Sequence, residues 1–141
     1  MRIVLDTNVL VSALVSPDVK RSSYRLVELA SEGKATGYTS VALMEEFKEI
    51  MPRDFHTPIE RVEQMVDVFL GFLKLVEPTR AIAMIEEDPN DDRVLECAVA
   101  ANAVYIASWD PHLTNLAEFE GIRIFNPGKL LHELKEAHGI E

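Results

Sequence analysis

Residues 2–14 read RIVLDTNVLVSAL, and the change of pattern inside this stretch decides the fold. Ile3-Val4-Leu5 is a continuous apolar run with two β-branched residues, as in a short strand buried on both faces. Asp6 follows directly, and over residues 9–14 the apolar spacing becomes helical. A strand that passes straight into a helix needs a crossover to reach its next partner, which gives parallel pairing. The alternation recurs downstream. Short strands are predicted at residues 35–38, 75–76, 104–107 and 122–125. Helices are predicted at 24–30, closed by Gly33, and at 41–51 after Thr39 or Ser40 as N-cap. Thr57-Pro58-Ile59-Glu60 reads as a capping box opening a helix to about residue 72, Asp88-Pro89-Asn90 opens another to about 102, and Asn126-Pro127 starts the last. The expectation is α/β: a three-layer α/β/α sandwich around a mostly parallel five-stranded sheet of Rossmann-like topology, with residues 1–141 as one domain.

Composition narrows the function classes. The chain is 48% hydrophobic and 27% charged, an ordinary globular balance. Lys and Arg number 14 against 24 Asp and Glu, so the net charge is −10. That argues against holding nucleic acid by a general positive surface, but not against a nuclease whose carboxylates are neutralised by bound cations. The one cysteine, Cys97, permits neither an internal disulfide nor a cysteine zinc site and reads as a packed core residue. No apolar run approaches a membrane span, and the opening MRIVLD lacks the features of a signal peptide, so a cytoplasmic protein is expected.

In parallel sheets ligands sit outside the carboxyl ends of the strands. Asp6 and Asp110 are each the first acid after a predicted strand. On the helix over 41–51, Val41, Leu43, Met44, Phe47, Ile50 and Met51 form the buried stripe; Glu46 borders it, whereas Glu45 and Glu49 lie roughly opposite. Asp91 and Asp92 occupy a first helical turn, where negative charge suits the helix dipole. Each acid alone has a structural explanation as a cap, a dipole partner or a solvated surface group. Four of them, Asp6, Glu46, Asp92 and Asp110, converging on one sheet edge would repel one another unless they hold a cation. An all-oxygen set suits Mg²⁺ or Mn²⁺.

VLDTNVLVSAL at 4–14, SVALMEEF at 40–47, DPNDDRVLECAVAANAVYIASWDPHL at 88–113 and IRIFNP at 122–127 resemble, in order and spacing, a PIN domain. Within that family the likeness is closest to the single-domain toxin components of toxin–antitoxin pairs, the VapC-like ribonucleases. The resemblance implies an endoribonuclease dependent on one or two Mg²⁺ or Mn²⁺ ions. The family's first acid matches Asp6, with Thr7 and Asn8 orienting it; its helix glutamate matches Glu46; its third acid matches Asp92; and the strand-end aspartate matches Asp110, with Ser108 as the small hydroxyl before it. Trp109 stands where many relatives have glycine, so its ring is expected to narrow the cleft or stack on a base. Lys20, Arg21 and Arg25, the densest basic cluster, and His112 are the further candidates for contact with RNA. The implied partners are an RNA substrate, an antitoxin protein and a second copy of the chain. The rival readings are a PIN-like scaffold without catalysis and an RNA-processing nuclease that is not a toxin. A dinucleotide-binding domain is disfavoured because no Gly-x-Gly-x-x-Gly follows the first strand, and a haloacid-type phosphatase because Asn8 occupies the place of its second aspartate.

Overall fold

The computed structural model describes residues 1–85 and 88–140. Its centre is β1 (Arg2–Leu5), in which Ile3, Val4 and Leu5 are fully buried. This strand pairs in parallel on both sides, with β2 (Thr36–Thr39) through Ile3↔Gly37 and with β4 (Tyr105–Ala107) through Val4↔Ile106. Outside these lie β3 (Lys74–Leu75), β6 (Ile122–Phe125) and β5 (Glu118–Phe119), giving the order β3-β2-β1-β4-β6-β5. All neighbours are parallel except β5 and β6.

The helices are α1 (Thr7–Val15), α2 (Arg21–Ser31), α3 (Val41–Phe55), α4 (Ile59–Leu70), α5 (Pro89–Ala101), α6 (Pro111–Thr114) and α7 (Pro127–His138). Successive side chains of a strand point to opposite faces of the sheet. Ile3 and Leu5 accordingly join one core with Leu10, Leu26, Phe47, Phe69 and Leu134, whereas Val4 joins the other with Val94, Leu95, Cys97 and Ala98. The three-layer reading holds, with a mostly parallel sheet of six strands and not five. The extra strand is β5, a two-residue piece joined to β6 by Glu120 and Gly121, both at positive φ (50° and 85°) as a tight hairpin turn requires. Two residues are too few to show any period in a sequence.

Helix α2 begins at Arg21, three residues earlier than expected, and the ends of α3 and α4 also differ from expectation. Helix α3 continues through Pro52 to Phe55 and ends on left-handed His56 (φ 54°), with Thr57 N–H donating to the Met51 carbonyl at 3.2 Å. Thr57 thereby closes α3 and does not cap the next helix: α4 begins after Pro58 without any side-chain cap, so the predicted capping box does not form. Helix α4 also stops at Leu70, two residues short of expectation; it buries Val62, Val66 and Phe69 while Val68 and Leu70 stay exposed. Among the described residues no helix is long and apolar enough to cross a membrane.

Gly37 on β2 lies against both Ala30 of α2 and Leu73 just after α4. A Cβ there would lie 2.5 Å from Leu73 Cδ2 and 3.3 Å from Ala30 Cβ, and Leu73 and Ala30 are both buried. Gly37→Ala should therefore overpack this core and lower the unfolding free energy by about 1–3 kcal/mol in a urea titration. An unchanged midpoint would show that the packing at this point gives way freely.

Candidate active site

The site begins where β1 runs out. Asp6 N–H donates to the Ala107 carbonyl at 2.9 Å, so Asp6 sits at the carboxyl end of the β1/β4 pair and caps α1. Its buried carboxylate is held on both oxygens. Oδ1 accepts from Thr7 N–H at 2.7 Å, and Oδ2 accepts from Ser108 Oγ at 2.7 Å and Asn8 Nδ2 at 3.2 Å. Asn8 is aimed in turn by Trp109 N–H, which donates to its Oδ1 at 3.1 Å. The Thr7 hydroxyl works elsewhere: it donates to the Leu43 carbonyl at 3.1 Å and ties α1 to α3. Thr7, Asn8 and Ser108 thus surround the Asp6 carboxylate as donors.

Glu46 arrives from β2 through α3, whose start is capped by Ser40 Oγ accepting from Leu43 N–H. Asp110 caps α6 at the end of β4, accepting from His112 N–H at 2.9 Å. Asp6, Glu46, Asp91 and Asp110 line one cavity of about 210 Å³. Asn8, Glu49, Ile50, Arg53 and Asp88 complete its wall.

Asp92 is not on that wall. Its Oδ1 accepts from Met84 N–H and Ile85 N–H, both at 2.9 Å, and one turn later Glu96 Oε2 accepts from Ile82 N–H at 2.9 Å. The two acids, four apart on one helix face, satisfy the backbone of the incoming segment. Asp91 takes the place in the cavity. That shared stripe of Asp92 and Glu96 was the available signal; nothing in the sequence singled out Glu49, Arg53 or Asp88.

The basic candidates disperse. Lys20 Nζ lies over the Trp109 ring, 4.1 Å from its centroid. Arg25 pairs with Glu28 and Glu32, and Arg21 is exposed at the start of α2. Trp109 is not placed to stack on a base in the cavity, because its Nε1 donates to Ser23 Oγ at 2.8 Å and Ser12 Oγ at 3.2 Å, which holds the ring against α1 and α2. His112 Nδ1 is 3.4 Å from Asp110 Oδ1 and 3.9 Å from Asp91 Oδ2.

Crowding shifts the acids upward. Burial pushes Asp6 up to about 6 against the opposing hydrogen bond from Ser108. Burial, followed by the charge of Asp6, pushes Glu46 up to about 7. Asp91 is raised by burial and by the close approach and charge of Asp110. Asp91 Oδ2 is buried with no hydrogen-bond partner. One ligand atom each from Asp91, Asp110 and His112 lie within 4.8 Å of one another. A buried, unpartnered carboxylate oxygen amid further carboxylates fits a hard divalent cation.

Stability should register this strain. An acid whose folded pKa is raised stabilises the fold while protonated and loses that contribution as pH rises. The window runs from 3.8 to about 6 for Asp6 and from 4.5 to about 7 for Glu46, so in EDTA the melting temperature should fall steadily across it. A flat profile would contradict the burial of these acids. Separately, Asp91→Asn should raise the melting temperature in EDTA by relieving repulsion, whereas Asp92→Ala should cost about 1–3 kcal/mol by leaving Met84 and Ile85 N–H groups without acceptors. The opposite ranking would reverse the roles of the two aspartates.

Comparison with known proteins agrees with this architecture. The PIN domain family profile matches residues 2–112. Among solved structures, a chain in the crystal structure of VapBC2 from Rickettsia felis bound to a DNA fragment from their promoter superposes with a TM-score of 0.63 at 18% identity, over 89% of this chain and 98% of that one. No curated protein matches the sequence. With the family profile spanning the chain from the first strand through the last acid of the cavity, the protein belongs to the PIN domain family.

Proposed function

We propose that the protein is a metal-dependent endoribonuclease that hydrolyses RNA phosphodiester bonds and serves as the toxin of a toxin–antitoxin pair. The observation that carries this reading is the convergence of Asp6, Glu46, Asp91 and Asp110, from four different elements, on one cavity in which a buried carboxylate oxygen lacks a partner. PIN domains are generally metal-dependent nucleases, and the oxygen-rich wall supports Mg²⁺ or Mn²⁺ as the ion, one or two in number. Asp6, Asp91 and Asp110 would hold it, with Glu46 beside them. A divalent ion bound there would neutralise charge on the phosphate and make a water more acidic.

The chain's own residues divide the remaining work. Ser108 and Asn8 keep the Asp6 carboxylate fixed, so its orientation costs nothing when substrate arrives. Glu46, whose proton affinity lies near neutral pH, is the group suited to take a proton from the attacking water. His112 stands at the rim beside Asp110, within reach of a bound strand. The VapBC2 likeness supports the toxin reading, which calls for an antitoxin protein, a second copy of the chain and the cytoplasm as the place of action.

The test is cleavage of end-labelled single-stranded RNA. Cleavage should appear with Mg²⁺ or Mn²⁺ and vanish in EDTA. Asp91→Asn should lose on the order of 10²-fold or more in rate, as expected for a group that touches the metal, while Asp92→Asn keeps most of it. RNA binding without cleavage by the parent protein would instead support the scaffold reading.

A further inference from the structure

An acidic cavity repels the polyanion it is proposed to cut, and cations bound within it relieve only the phosphate directly above them. The flanking phosphates need cationic side chains with donors still free to reach them. Several of the basic side chains are paired with acids: Arg25 with Glu28 and Glu32, Lys48 with Glu45, Arg80 with Glu120, and Arg123 with Glu133. Two beside the site keep donors free: Lys20 and, despite its ion pair with Asp54, Arg53.

Lys20 has no carboxylate within ion-pair distance among the described residues, and its ammonium rests on the Trp109 indole at 4.1 Å. That seat is rigid, since the indole Nε1 is bonded to Ser12 and Ser23 and the Trp109 backbone N–H to the cavity residue Asn8. Ordinary bond lengths put the Trp109 amide about 5 Å or less from its ring centroid, so Lys20 Nζ stands roughly 9 Å or less from that amide. Arg53 lines the cavity itself. Its Nε and Nη2 are bonded to Asp54, an exposed neighbour, which leaves the Nη1 donors uncommitted among the described residues. The strand order places β2, which leads into α3 and Arg53, and β4, which leads into Trp109, on opposite sides of β1 and Asp6.

We propose that the phosphate backbone of a single-stranded substrate crosses the carboxyl edge of the sheet between Lys20, seated on Trp109, and Arg53, with the acid cavity between them. The two cations hold phosphates on either side of the reacting one. Trp109 is a positioning residue that fixes the lysine and contacts no base. This inference rests on the nuclease reading for its substrate class.

The experiment is fluorescence anisotropy with labelled oligouridylate and oligodeoxyuridylate of about 12 nucleotides, at about 50–200 mM KCl with Ca²⁺ present, with intactness checked on gels. Lys20→Gln and Arg53→Gln should each lower the magnitude of the salt slope by about 0.7 and weaken binding about fivefold near 0.1 M salt, the value for one phosphate contact on a single strand. Trp109→Leu should reproduce the Lys20→Gln loss and add nothing to it in the double variant. In cleavage assays the losses should fall on KM and not on kcat. Lys34→Gln, which removes an equal charge before β2 at the opposite sheet edge, should leave slope and affinity as in the parent. A parent-like slope in Lys20→Gln or Arg53→Gln, or additive losses for Trp109→Leu and Lys20→Gln, would overturn the path. Equal losses on both oligonucleotides assign the contacts to the shared phosphates. Weakened binding in the variants of a parent that cleaves neither oligonucleotide would leave the path standing and remove the nuclease reading.

Discussion

Everything in this molecule turns on keeping the Asp6 carboxylate buried and ionisable at the end of a central parallel strand. Desolvation raises the cost of its charge, and three donors offset that cost: Thr7 N–H, Asn8 Nδ2 and Ser108 Oγ. Those donors come from both sides of the β1/β4 seam, so the acid is also the junction of the sheet. The same few bonds recruit neighbours. Ser108 Oγ accepts from Asp110 N–H, and Asn8 Oδ1 accepts from Trp109 N–H, which together set the strand-end turn that presents the second acid. The Thr7 hydroxyl reaches α3 and brings Glu46 to the same edge.

The arrangement sets stability against function. Acids that share a cavity raise one another's proton affinity, and the folded chain carries the repulsion until something positive enters. The sheet can bear it because Ile3, Val4 and Leu5 are wholly buried and two cores, one on each face, clamp the strand. Phe47 meeting Phe69 edge to face at 5.4 Å locks α3 to α4 behind the site. A rigid base beneath a strained rim is the usual condition for a site to hold an ion in one geometry.

Much of this was legible in the sequence for local reasons. Asp6 and Asp110 follow short buried strands, and a strand end is a place that chain order alone can mark. Glu46 was legible because a 3.6-residue period fixes its angle to the buried stripe. What escaped depended on distant partners. Asp91 and Asp92 are both first-turn acids of α5, and the choice between them is made by the backbone N–H groups of Met84 and Ile85, which claim Asp92. Thr57 carries a capping signature, yet its N–H is taken by the end of α3. Trp109 reads as an obstruction until Ser12 and Ser23 are seen to hold its indole. The basic cluster dissolves because Arg25 is answered by acids one and two turns along its own helix.

If the buried acids of the cavity hold a cation, they must give up protons to bind it. Calorimetric titration of Mn²⁺ into metal-free protein, repeated in buffers of different ionisation enthalpy near pH ~6.5, measures binding and proton release together. Asp6, raised to about 6, and Glu46, raised to about 7, together hold about one proton at that pH, and Asp91 is raised as well, so saturable binding should release one proton or more per protein, and Asp91→Asn should weaken the binding and reduce the release. Absence of binding, or binding without proton release that Asp91→Asn leaves untouched, would contradict the proposed cation site.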